Sequence, residues 1–249
     1  MNHLPVIDTY IESVENIWAA KGRHYQVITI ASLDFSGLPG QFVMIQKQEG
    51  GFAWSYPYMI LENTPGGLKV IATPMASLWN ITVGARIALW GANGRACPLT
   101  GCETFVAEPA TFHLILPLIK HTAAPRLIIV GDPHELPAQL LPENTLFTTA
   151  DSEVFHILET VDTPVYMALN IATMEAIIPQ NNLQQPPAFV NRLFLFVSTQ
   201  IGCGIGACKS CYLHSPDMAM GIPVCCNGPY LPYTSIDFQK DRKCFQVFI

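Results

Sequence analysis

Five of the chain's eight cysteines fall between residues 203 and 229, in CGIGACKSCYLHSPDMAMGIPVCCNGP. Cys203, Cys208 and Cys211 form C-x4-C-x2-C, and a fourth thiol follows at Cys225 or Cys226. That spacing is the plant-type [2Fe–2S] pattern: a tight loop supplies three thiolates and the fourth arrives from further along the chain. Gly202, Gly204 and Gly206 would let such a loop take positive φ and bring backbone N–H groups up to the sulfurs. A four-cysteine zinc site is the competing reading, because it too uses a CxxC knuckle. Zinc sites usually pair two knuckles, and here a glycine-rich CxxxxC loop precedes a single one. A redox CxxC lacks its strand–helix context around CKSC. A Rieske centre needs two histidines, and only His214 lies in the stretch. Cys97, Cys102 and Cys244 read as buried small hydrophobes.

Composition narrows the partners. Half of the 249 residues are hydrophobic and 13% are charged, which suits a packed globular chain. The net charge of -6 and the lack of a basic stretch argue against nucleic acid. The opening MNHLPVIDTYIESVENIW carries Asp8, Glu12 and Glu15 where a secretory signal would be apolar. The longest apolar runs, FHLILPLI and LFLFV, are too short to span a bilayer. The expectation is a cytoplasmic protein away from membranes, whose clustered cysteines serve a metal or catalysis more than disulfides.

Patterning divides the chain. VIDTYIESVENIW has the spacing of a short helix. HYQVITIASLD, GQFVMIQKQ, YPYMILEN, GGLKVIAT and ARIALWGANG read as short strands punctuated by Gly, Pro and Asn, so residues 1–100 suggest a small β-barrel. RLIIVG is a strand buried on both faces, as in a parallel sheet. ELPAQLL reads as a helical turn and ATMEAII as a helix, so residues 101–190 suggest an α/β unit. PQNNLQQPP is a linker-like loop. NRLFLFVSTQ is a strand leading into the cysteine segment, within a third region, 191–249.

At the cysteines the chain resembles the electron-transfer subunit of class B dihydroorotate dehydrogenase, whose segment reads C-G-x-G-x-C-x-x-C and then V-C-x-x-G-P. Counting back from Gly228-Pro229 puts the fourth ligand on Cys225, with Cys226 as the alternative. The resemblance implies an α+β multidomain, ferredoxin-reductase-like fold: an N-terminal antiparallel flavin-binding β-barrel, an α/β nicotinamide-binding domain and a small C-terminal [2Fe–2S] domain. It also implies a hetero-oligomer with a flavin-bearing catalytic subunit, serving pyrimidine biosynthesis.

The family's nucleotide motifs are eroded. Its Arg-Pro-x-Ser-Ile, where the arginine pairs with the FAD pyrophosphate, corresponds to Tyr56, Pro57, Tyr58, Met59 and Ile60. A phenol at Tyr56 does not replace the guanidinium's charge. Tyr56, Tyr58 and Trp54 offer rings that could stack on an isoalloxazine, or ordinary barrel residues. Arg86, Arg95 or Lys47 could reach a phosphate from another position. The family's Gly-Thr pair is Pro74 and Met75, with Leu78 and Gly84 kept, and its Gly-Pro-Leu-Gly-x-Gly-Phe is reduced to GANGRAC. In the α/β domain the Gly-Gly-Gly-Ile-Gly turn is expected at IIVGDPHELPAQLL, where Gly131 alone survives beside Asp132 and Pro133. The Cys-Gly-Pro by the nicotinamide becomes Ala168, Leu169 and Asn170. His113, His121, His134 and His156 show no metal spacing, and Trp79 and Trp90 read as core. Two functions are expected: an iron–sulfur electron-transfer subunit whose NAD site is lost, or a non-catalytic stabilising subunit with a structural cluster or zinc.

Overall fold

The computed structural model of the chain describes residues 6–20, 23–31, 35–48, 55–72, 82–178, 187–216 and 218–242. Trp54, Pro74, Met75, Leu78, Trp79, Cys244 and nearly all of the PQNNLQQPP stretch lie outside the described residues. The chain divides into two compact units. The first comprises 1–97, 199–212 and 223–228; the second comprises 98–198, 213–222 and 229–249. The stretch 191–249 is therefore shared between them.

The first unit is built on a closed six-stranded barrel. Its strands are β1 (Ile7–Ala20), β2 (Arg23–Ala31), β3 (Phe42–Lys47), β4 (Ser55–Thr64), β5 (Gly67–Ala72) and β6 (Arg86–Asn93). They run in the order β1-β2-β5-β4-β3-β6, every pair antiparallel, and β6 returns to β1. Closure removes the free edges on which open sheets aggregate. Alternation sends Ile28, Ile30, Val43, Ile45, Tyr58, Ile60, Leu68, Val70, Ile87 and Leu89 into the lumen as its core.

The expected opening helix is instead β1. Its pairing with β2 slips between Ile11 and Ser13 and again between Asn16 and Trp18. A bulge inserts one residue and resets the two-residue alternation. Ile7 packs against the core, Ile11 lies in it, and Val14 packs against it again. The step of three across the bulge imitates helical spacing.

The second unit centres on a six-stranded sheet, ordered β14-β11-β10-β7-β8-β9. These are β7 (Thr104–Ala107), β8 (Arg126–Val130), β9 (Leu146–Thr148), β10 (Val165–Ala168), β11 (Leu193–Phe196) and the antiparallel edge strand β14 (Tyr230–Pro232). The other pairs are parallel. The helices are α1 (Phe112–Ile119), α2 (Asp151–Thr160) and α3 (Ile171–Ile177), with α5 (Phe238–Asp241) near the end. ELPAQLL forms only 3-10 turns, at Pro133–Glu135 and Ala138–Leu140. Every residue of α1 is buried, so the FHLILPLI run is a core helix. None of the helices among the described residues is long and apolar enough to cross a membrane.

The sheet revises one sequence assignment. Its first strand is β7, short and fully buried, and not RLIIVG, which is β8. The turn after the first strand is therefore Glu108-Pro109-Ala110-Thr111, which leads into α1 and contains no glycine.

Candidate functional site: the cysteine loop

The cysteine loop belongs to the barrel unit, together with α4 (Val224–Asn227), which carries Cys225 and Cys226. Between them lies a two-stranded ribbon, β12 (Tyr212–Leu213) and β13 (Ile222–Pro223). The loop is seated on the outer face of β3, β4 and β6. Leu89 lies in the lumen, so Trp90 points outward, beside Met44 on β3. The Trp90 indole Nε1 donates to the Cys203 carbonyl at 2.9 Å. The Ser55 hydroxyl donates to the Gly202 carbonyl at 3.1 Å. Gly94 N donates to Cys225 O at 2.8 Å and Arg95 N to Gly228 O at 2.9 Å. Trp90, expected in the core, is thus a half-buried anchor for the loop. Sequence reading missed it because only pairing with β3 decides its face.

Two glycines make this seat possible. Gly204 has φ +75°, and a Cβ there would sit 2.7 Å from Met44 Cγ. Gly206 also has φ +75°, and a Cβ would lie 3.0 Å from the Cys226 sulfur. Gly202, expected to share this role, has no positive φ. Lys209 at φ 60° is the one non-glycine among the described residues in that region.

The thiols stand as two pairs. Cys211 and Cys225 are each 1% exposed. The Cys225 thiol donates to the Cys211 sulfur, which pulls the Cys211 thiol down to about 6 and pushes Cys225 up. Cys203 is half-buried and Cys208 exposed. Hydrogen bonding from Ser210, aided by Cys203, draws the Cys208 thiol down to about 7. The Ser210 hydroxyl lies 3.0 Å from Cys208 Sγ and 2.9 Å from Gln200 O. Backbone amides already point at sulfur: Gly206 N to Cys225 at 3.0 Å, Cys208 N to Cys203 at 3.4 Å, Cys225 N to Cys211 at 3.5 Å. Cys226 is exposed, 3.8 Å from Cys225.

Among the described residues no group of three or more His, Cys, Asp or Glu is gathered closely enough to hold a metal ion. The donor chemistry nonetheless suits a thiolate-bound cluster, because amide N–H groups aimed at sulfur are what stabilise one. Cys203, Cys208, Cys211 and Cys225 would hold it. Of the remaining cysteines, Cys97 packs on Gly40, and burial pushes its thiol up to about 12. Cys102 is exposed, contrary to the buried role expected of it.

The residues matched to the flavin motif, Tyr56 to Ile60, lie on β4. Tyr58 is fully buried in the lumen and Tyr56 packs against the same core, so neither ring is offered outside the barrel. Pro57 and Met59 alternate to the outer face, so the position where the resemblance would need a hydroxyl, Met59, points outward, whereas the position where it would need a cation, Tyr56, turns to the core.

No protein-family model matches the chain, and no curated protein matches it. Solved structures do. A protein described under "Insights into flavin-based electron bifurcation via the NADH-dependent reduced ferredoxin-NADP oxidoreductase structure" is 13% identical, with TM-score 0.69, over 98% of this chain and 94% of that one. Ferredoxin-NADP+ reductase from Plasmodium falciparum is 13% identical, with TM-score 0.58, over 76% and 95%. The ferredoxin reductase in carbazole 1,9a-dioxygenase is 14% identical, with TM-score 0.52, over 77% and 69%. Barrel and sheet together thus have the ferredoxin-reductase-like fold.

Proposed function

We propose that this chain is an iron–sulfur electron-transfer subunit of an oxidoreductase complex. Cys203, Cys208, Cys211 and Cys225 hold a [2Fe–2S] cluster, which supplies one-electron storage when bound. The observation that carries this reading is the pairing of three thiols of one loop and a fourth from α4, with backbone amides directed at three of the four. The fold supports it, since similar structures are ferredoxin reductases.

The chain's own residues have distinct tasks. Cys211 and Cys225 form the buried side of the site, and Cys203 and Cys208 the side nearer solvent. Trp90 and Ser55 hold the loop's backbone against the barrel. The tip from Ile205 to Ser210 is largely solvent-exposed, so electrons would enter or leave there. The partner by resemblance is a flavin-bearing catalytic subunit of the dihydroorotate dehydrogenase type, an associational argument. Its reduced flavin would give up one electron per encounter to the cluster, with no group transferred. Free NADH is not the donor.

The test is a spectrum of anaerobically purified protein before and after dithionite, with iron, zinc and flavin assayed on the same sample. The proposal expects about two irons per chain and broad bands that bleach on reduction. Zinc in place of iron, with no bleaching, overturns it and leaves the second reading, a stabilising subunit with structural thiolates.

A further inference from the structure

Ligands of open α/β sheets bind at the carboxyl ends of the strands, in the crevice where strand order reverses. Here that point lies between β7 and β10. From β7 the chain builds outward to β8 and β9, then returns to the other side of β7 for β10 and β11. In the NAD(P)-binding members of such a fold this crevice takes the dinucleotide, whose phosphates need free backbone amides and close-approaching glycines.

The crevice is bridged by the chain itself. Glu108, the residue after β7, turns its carboxylate across the gap to the residues after β10. It accepts from Asn170 N at 2.9 Å, from Asn170 Nδ2, and from the Thr173 hydroxyl at 2.7 Å. Asn170 Oδ1 in turn accepts from Ala172 N at 2.9 Å and Thr173 N at 3.1 Å, the first free amides of α3. Thr111 closes the second half of the bridge: its hydroxyl donates to Ala168 O at the end of β10, and its oxygen accepts from Glu108 N at 3.0 Å. On the other flank Pro109 lies against Gly131 at the end of β8, where a Cβ would be 2.9 Å from Pro109 Cδ. Beyond it, the Asp132 carboxylate accepts from His134 N. A groove of about 920 Å³ does exist in this unit, but at the amino ends of β8 and β9, lined by Arg126, Leu140, Pro142 and Leu146.

We propose that Glu108 is an internal ligand that closes the switch-point crevice, so that this unit binds neither NAD(H) nor NADP(H). The carboxylate occupies the donors that a phosphate would need, and its charge repels any that approaches. The closure stands on the geometry of the second unit. Its consequence, that electrons reach the chain from a reduced protein and not from a free nicotinamide, rests on the electron-transfer reading above.

The experiment titrates the whole protein with NADH and with NADPH, following nicotinamide fluorescence and equilibrium dialysis, with iron assayed on the same sample. No saturation up to about 1 mM is expected. Saturable binding below that concentration overturns the closure, whatever the iron content. A sample without iron that also binds no dinucleotide sinks the electron-transfer reading and leaves the closure standing. Thermal melting of Glu108→Gln is the second arm. A melting point several degrees below wild type is expected, with iron content unchanged. An unchanged melting point means the carboxylate does not tie β7 to β10 and overturns the proposal.

Discussion

The cysteine loop and the carboxyl edge of the parallel sheet differ in how their polar groups are used. In the loop, amides and a hydroxyl are aimed at sulfurs that still have valence to give. At the sheet edge, one carboxylate collects donors from two residues and a threonine hydroxyl ties the opposite strand end. A site ready for a ligand leaves some chemistry unspent; at the sheet edge the buried groups are satisfied from within, because leaving them unpaired would be costly. Glycines stand at 204 and 206, where the backbone comes close to Met44 and Cys226, and none stands at 108–111.

The largest effect that would sharpen this contrast is at the fourth thiol. Cys225→Ser should abolish iron incorporation, whereas Cys226→Ser should keep it, read as iron per chain and visible absorbance. The reverse result would assign the ligand to Cys226 and break the pairing described above. Next is Gly204→Val. It forces a side chain into positive φ against Met44, and should lower stability by about 1–3 kcal/mol in a denaturant titration. At the sheet edge, Thr111→Val leaves the Ala168 carbonyl without its donor. A loss of about 1–3 kcal/mol is expected, with iron content unaffected; a loss of iron would couple two regions that the comparison treats as separate.

Smaller effects follow. Burial alone would raise the Glu103 carboxyl, but hydrogen bonds from Thr100 and Gly101 outweigh it and leave the group below its usual range. A carboxyl lowered on folding adds stability above its unfolded pKa of about 4.3 and loses it as pH falls through the folded value. Stability should therefore fall more steeply with acid in wild type than in Glu103→Gln. Smallest is Ser210→Ala. Removing a hydroxyl 3.0 Å from Cys208 Sγ should lower the midpoint potential of the proposed cluster in a redox titration, because hydrogen bonds to sulfur favour the reduced, more negative state.

Much of the molecule was legible from local pattern. Short runs punctuated by Gly, Pro and Asn mark the strands in HYQVITIASLD, GQFVMIQKQ and GGLKVIAT, and alternation along each decides which side chains enter the lumen. The opening segment misled because two bulges reset that alternation. Four-residue β7 escaped notice because it is buried throughout and carries no period. With it went the place of the turn after the sheet's first strand, and so Glu108. A glutamate in EPAT gives no local signal, because its partners lie 62 and 65 residues away.

Sequence alone determined the chemistry that depends on spacing and residue type: the C-x4-C-x2-C loop, the glycines within it, and the missing arginine and glycine motifs. Tertiary structure alone decided which groups meet. It turned Tyr56 and Tyr58 into the lumen, paired Cys211 with Cys225, set Trp90 against Cys203, and carried Glu108 across to Asn170. The reason is physical: ligand spacing and backbone permissiveness are properties of a short stretch, whereas side-chain partners are chosen by strand pairing and sheet order, which join residues far apart in the chain.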